Sequence, residues 1–120
     1  MIKCTVQDII AGQPVFAELL KQDFTGKKAF LIARLNRELE IEVREFERCR
    51  QELIEKYGVV DEQGNYTIPD DKLHDANMEL ADMLNVELEI NNCDKIPADW
   101  VSECNLNPIQ FSGLLPFIEM

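Results

Sequence analysis

Between residues 27 and 57, Ile32, Leu35, Leu39, Phe46, Cys49 and Leu53 fall three, four or seven positions apart, with Glu42 interrupting the line. That period gathers side chains on one face of an α-helix. Phe30, Leu31, Val43, Ile54 and Tyr57 widen the stripe, and the segment contains neither Gly nor Pro. The pattern predicts one helix over 27–57, roughly 46 Å long at the α-helical rise, with Gly58 as its C-cap. Glu40–Arg44 and Glu52–Lys56 are spaced as favourable i, i+4 ion pairs. Leu35, Leu39 and Phe46 are expected to be largely buried.

The flanking segments carry shorter signals. Thr5 suits an N-cap for a short helix over 5–12, and Gly12-Gln13-Pro14 reads as a break. Pro14 then fits the first turn of a second short helix, Val15 to about Asp23, so residues 1–26 read as short helices. After the long helix, residues 58–68 read as a hairpin. Val59-Val60 and Tyr66-Thr67-Ile68 are β-prone, and Gly64 is available for positive φ in the turn. Residues 69–84 predict a helix opened by Pro69-Asp70, with Leu73, Ala76, Leu80, Ala81 and Leu84 on its inner face. In 85–120 the alternation Val86-Glu87-Leu88-Glu89-Ile90 predicts a half-buried strand. A loop, a packed corner at 96–100 and a short helix from Ile109 to Leu115, capped by Asn107-Pro108, complete the chain.

These elements predict a mainly α fold with minor β, in a single domain spanning 1–120. One long amphipathic helix is packed by shorter helices, with a small β-hairpin and a short extra strand. A helix of that length buries its stripe only if something lies along it. Residues 70–84 can return antiparallel beside its C-terminal half and residues 5–24 can cover its N-terminal half. A partner chain would close any apolar surface left over.

Composition narrows the class. The 120 residues are 46% apolar and 29% charged, ordinary for one globular domain. No apolar run approaches the roughly 18 residues of a membrane span, and the opening MIKCTVQDII does not read as a secretory signal, so the expected location is the cytosol. The net charge of −11 is unevenly spread. Residues 27–57 hold eight Lys or Arg against seven Glu, whereas residues 58–120 hold only Lys72 and Lys95 against thirteen acids. Direct binding to a nucleic-acid backbone, which runs on clustered cations, is not expected.

Chemistry-bearing patterns are sparse. Cys4, Cys49, Cys93 and Cys104 form no C-x-x-C pair, and His74 is the single histidine. Reduced, unligated thiols are therefore expected, with Cys93–Cys104 the one pair to check. His74 with Asp71 and Asp75 falls short of a ligand set and reads as an acidic first helical turn. Ser102 and Ser112 lie in no nucleophile-elbow setting, and the five dispersed glycines form no phosphate loop. Asp61 to Tyr66 lacks the spacing of a calcium loop. The expectation is a non-enzymatic protein with no metal and no cofactor. Two surfaces stand out. Asp71, Asp75, Glu79 and Asp82 lie three or four apart, a candidate acidic interaction face on the helix 69–84. Trp100, Phe111, Leu114, Leu115, Phe117 and Ile118 form a C-terminal apolar segment, either the lid of the core or a docking surface.

The opening I-K-C-T-V-Q-D-I-I, the long helix closing in R-Q-E-L-I-E-K-Y-G, the hairpin D-E-Q-G-N-Y-T-I-P-D, then V-E-L-E-I and the ending L-N-P-I-Q-F-S-G-L-L-P-F-I-E span nearly the whole chain. In this order they resemble small uncharacterised proteins of tailed bacteriophages and prophages of Gram-positive bacteria. The resemblance implies a phage or prophage origin, a place in the host bacterial cytoplasm or the virion, and a non-enzymatic role. The expected role is protein–protein interaction, as a structural or assembly component or a small binder of a host protein, with self-association through the long helix compatible. The alternative is an acidic nucleic-acid mimic that inhibits a host DNA- or RNA-binding enzyme.

Overall fold

The computed structural model describes residues 1–102 and 104–119. The elements are β1 (Ile2–Thr5), α1 (Val6–Leu19), α2 (Gly26–Tyr57), β2 (Val59–Val60), β3 (Tyr66–Thr67), α3 (Asp70–Leu84), β4 (Glu87–Ile90), β5 (Ile96–Pro97), α4 (Asp99–Ser102), α5 (Pro108–Leu114), a 3₁₀ turn at Leu115–Phe117 and β6 (Ile118–Glu119). The chain is mainly α with minor β, and the long helix, the hairpin and α3 lie close to where the hydrophobic pattern predicts them.

Residues 1–26 differ from expectation in two ways. Ile2–Thr5 is a strand, paired antiparallel with β4 so that Ile2 faces Ile90 and Thr5 faces Glu87. Residues 6–19 are one helix with Pro14 inside it, not two helices broken at Gly12-Gln13-Pro14. Thr5 does cap it, through reciprocal bonds with Asp8: Asp8 N–H donates to Thr5 Oγ1 at 3.1 Å, and Thr5 N–H to Asp8 Oδ2 at 3.0 Å. An interior proline costs about 3 kcal/mol. Burying Ile9, Phe16 and Leu19, all at most 1% exposed, contributes about 1.5–3 kcal/mol each. Those side chains share a face only if the helix runs through, so continuity wins. Gly12 marks a close crossing with α5. A Cβ there would lie 2.6 Å from Phe117 Cε2 and 2.9 Å from the Gly113 carbonyl oxygen.

The core gathers at one end of the molecule. Ile32, Leu35 and Leu39 of α2 pack with α1, β1 and β4, and with Val101, Leu114, Phe117 and Ile118 from the C-terminal region. Leu114, Phe117 and Ile118 are buried, and β6 pairs in parallel with β5. That part of the C-terminal apolar segment is therefore core, while Leu115 stays exposed. Asn107 caps α5 through reciprocal bonds with Gln110.

The C-terminal half of α2, the hairpin and α3 extend from this head as an arm. The molecule measures 51 × 28 × 25 Å, with a radius of gyration of 17.2 Å, against about 14 Å for a compact chain of this length. A two-helix arm buries less, and several expectations change there. Phe46 is half-buried, unlike the fully buried Leu35 and Leu39. On α3 only Ala76 is buried; Leu80 and Leu84 are half-buried, and Leu73 and Ala81 are exposed. Phe30, assigned to the buried stripe, is 65% exposed on the opposite side of α2. Gly58 is the C-cap of α2, as expected, its N–H donating to the Ile54 carbonyl at 2.7 Å, though in an extended conformation (φ −84°, ψ 158°) and not a left-handed one. Space requires glycine there, because a Cβ would fall 2.5 Å from the Ile54 carbonyl oxygen. Gly64 does take the positive φ its turn requires, at 83°.

Candidate interaction surfaces

The arm is built around Glu79. Lys56 Nζ and Tyr57 Oη both donate to Glu79 Oε1 at 2.7 Å, fastening α3 antiparallel to the end of α2. The Glu52–Lys56 pair expected from sequence does not form. Lys56 turns to Glu79, and Glu52 accepts from Arg48 Nη1 at 2.7 Å. Glu40–Arg44 is present, at 3.9 Å. The hydrogen bonds from Lys56 and then Tyr57 hold the Glu79 carboxyl below its usual range. The bond to Glu79 raises the Tyr57 phenol and the Lys56 ammonium.

This arrangement divides the four acids expected on one face. Asp71, Asp75 and Asp82 are exposed and make no ion pair among the described residues. Glu79 turns toward α2 as a structural acceptor and leaves that face. Sequence spacing places all four on neighbouring helical positions, but which way the helix rolls against α2 is a tertiary choice.

Beyond α3 the arm ends in the hairpin. Val59 pairs with Thr67 and Val60 with Tyr66, and all four residues are exposed. Val59 and Val60 are both about half exposed, and Leu73 on the first turns of α3 is 42% exposed. The turn is held by Asp61, whose Oδ1 accepts from the backbone N–H groups of Gln63 and Asn65. The sequence named these residues as strands but gave no sign that neither face would be covered.

Among the described residues no group of three His, Cys, Asp or Glu is placed to hold a metal ion, and His74 is exposed on α3. Ser102 Oγ donates to the Asp99 carbonyl at 3.1 Å, as part of α4. Cys4 borders a shallow depression of about 530 Å³ together with Asp8, Glu87 and Glu89. Burial, followed by the charges of Asp8 and Glu42, pushes its thiol up to about 11. A nucleophilic cysteine needs the opposite shift, toward thiolate. Burial also raises the Cys93 thiol, and Cys104 Sγ lies 3.9 Å from the Trp100 carbonyl. A smaller apolar cleft of about 160 Å³ lies where head meets arm, between Val6, Phe46, Cys49, Met83 and Val86, with Glu42 and Glu45 at its rim.

No helix among the described residues is long and apolar enough to cross a membrane. No protein-family model matches the chain, and neither the curated proteins nor the solved structures yield a match.

Proposed function

We propose that this chain is a non-enzymatic phage or prophage protein that works by binding other proteins, as an assembly component or as a binder of a host protein. The phage setting rests on the sequence resemblance. The binding mode rests on one observation, the apolar tip of the arm. Val59, Val60, Tyr66 and Leu73 are exposed at the end of a protruding helical pair, far from the core that could have covered them. Behind the tip, Glu79 ties α3 to α2 through Lys56 and Tyr57. Desolvating such side chains against a partner is the usual driving force of association.

Affinity purification of the tagged chain from infected or lysogenic bacteria tests this. A partner retained by the native chain and lost on Val60→Asp with Tyr66→Asp, at unchanged helicity, supports the reading. A partner insensitive to the tip, or none at all, overturns it.

The alternative of an acidic nucleic-acid mimic draws on Asp71, Asp75 and Asp82, exposed and without ion pairs among the described residues. A mimic's complex would weaken steeply with salt and with reversal of those three acids, and would tolerate the tip substitutions. Glu79 is unsuited to that test, because reversing it unfastens the arm.

A further inference from the structure

We infer that the outward face of α2 docks onto the outward face of α3 of a second copy of this chain, in an antiparallel register that sets Ile41 against Met78. This rests on the reading that the chain works through protein contacts, and it names one such partner.

On α2, Phe30, Arg34, Arg37, Ile41, Arg44 and Arg48 recur at alternating steps of four and three, and all six are exposed. The stripe lies opposite the face that Ile32, Leu35 and Leu39 bury. Phe30 is among the most exposed large hydrophobic residues described, and Ile41 is 47% exposed. Arg34 and Arg37 make no ion pair among the described residues, whereas Arg44 pairs along the helix with Glu40, and Arg48 with Glu45 and Glu52, so docking would have to share or exchange those partners.

On α3, Asp71, Asp75, Met78 and Asp82, followed by the C-cap residue Asn85, recur with the same alternation, and all are exposed. Met78, 56% exposed, stands among the acids as Ile41 stands among the arginines. Each stripe therefore has an apolar centre and flanking charge of opposite sign to the other.

The periods match in register as well as in kind. Antiparallel pairing of Ile41 with Met78 brings Arg37 to Asp82, Arg44 to Asp75, Arg48 to Asp71 and Arg34 to Asn85. Both stripes have helical period, so the pairs stay in step along about 21 Å. Within one molecule the stripes cannot meet, because both face away from the contact between α2 and α3. The α2 stripe itself contains no acid, so two copies of it offer each other no complementary charge within the stripe, unlike the α3 stripe.

The arrangement also clears the bulk of the molecule. Within one chain Glu79 is level with Lys56 and Tyr57. In the docked pair Met78 is level with Ile41 of the neighbour. The displacement of about sixteen residues, or about 24 Å, slides the neighbour's head past the first copy's head. The contact is heterologous, so it repeats head to tail. Repulsion between chains of net charge −11 is screened beyond about 8 Å at physiological salt, which leaves the local complementarity in charge.

Sedimentation velocity on the purified full chain tests the inference. The native chain should associate with rising concentration at about 0.15 M salt and revert toward the 13.8 kDa monomer at about 1 M. Arg37→Glu with Arg44→Glu, and separately Asp75→Arg with Asp82→Arg, should each give a monomer with native circular dichroism. Mixing the two variants should restore association, because each then offers the charge the other lacks. A native chain that stays monomeric at about 0.15 M salt, variants that associate as well as the native chain, or a mixture that fails to associate would overturn it. Capture of another protein through the hairpin tip by a monomeric chain would sink this inference alone and leave the proposed function standing.

Discussion

Gly12 lies beneath the ring of Phe117, so close that a β-carbon at position 12 would stand 2.6 Å from Cε2. The contact locks α1 to the C-terminal region, where Phe16 meets the same ring edge to face with centroids 5.7 Å apart. Gly113 closes the crossing from the other side, where a β-carbon would stand 3.1 Å from the Ala11 carbonyl oxygen. Gly12→Ala would gain about 1 kcal/mol of helix propensity but must displace a fully buried ring and a backbone carbonyl, typically a cost of about 1–3 kcal/mol. The expected net result is destabilisation, read as a lower thermal midpoint. An unchanged or higher midpoint would show that α1 and α5 can move apart freely.

Leu39 and Phe46 lie on the same face of α2 and should respond differently. Leu39 is fully buried in the head, so Leu39→Ala should destabilise by about 2–5 kcal/mol. Phe46 is half-buried where the arm begins, and Phe46→Ala should cost less than the about 3–5 kcal/mol of a fully buried ring. Urea denaturation of both variants checks the order. Equal losses would mean that head and arm are equally packed.

Cys4 gives the head a dependence on alkaline pH. Its thiol is raised to about 11 in the fold, so the folded state holds this proton more tightly than the unfolded chain. The stability tied to the neutral thiol is fully present below about pH 9 and is lost as pH rises toward 11. Cys4→Ala should flatten that part of the stability profile relative to the native chain, measured by urea midpoints between those limits. Identical slopes would contradict the assignment. The same shift predicts slow alkylation of Cys4 near neutral pH until the chain unfolds.

Glu79 gives the arm the opposite dependence. Its folded pKa is lowered, chiefly by Lys56 and then Tyr57, so its contribution is present above the usual glutamate range and is lost as pH falls through the lowered value. Glu79→Gln should speed hydrogen exchange in α3 and the end of α2 while leaving α1 and β4 protected. Uniform loss of protection would show that arm and head unfold as one unit.

Much of this architecture follows from local sequence. The length of α2, the hairpin turn at Gly64, the caps at Thr5 and Asn107 and the strand at β4 each depend on a periodicity or on a side chain reaching its own backbone. Such signals act over a few residues and are legible one segment at a time. The acidic spacing on α3 and the exposed charge of Asp71, Asp75 and Asp82 were legible for the same reason.

What tertiary structure decided is where one segment meets another. Pro14 sits inside a helix because Ile9, Phe16 and Leu19 must share one buried face, and Gly12 is a crossing point because α5 comes back to it from the far end of the chain. β1 is a strand because β4 lies beside it. Glu79 is a fastener and Asp75 is not, because α3 rolls one way against Lys56 and Tyr57. Phe30 and Ile41 are surface because the core occupies the opposite side of α2, leaving the arginine stripe between them in solvent. A periodic pattern states which residues share a face; only packing between distant segments determines which face is covered.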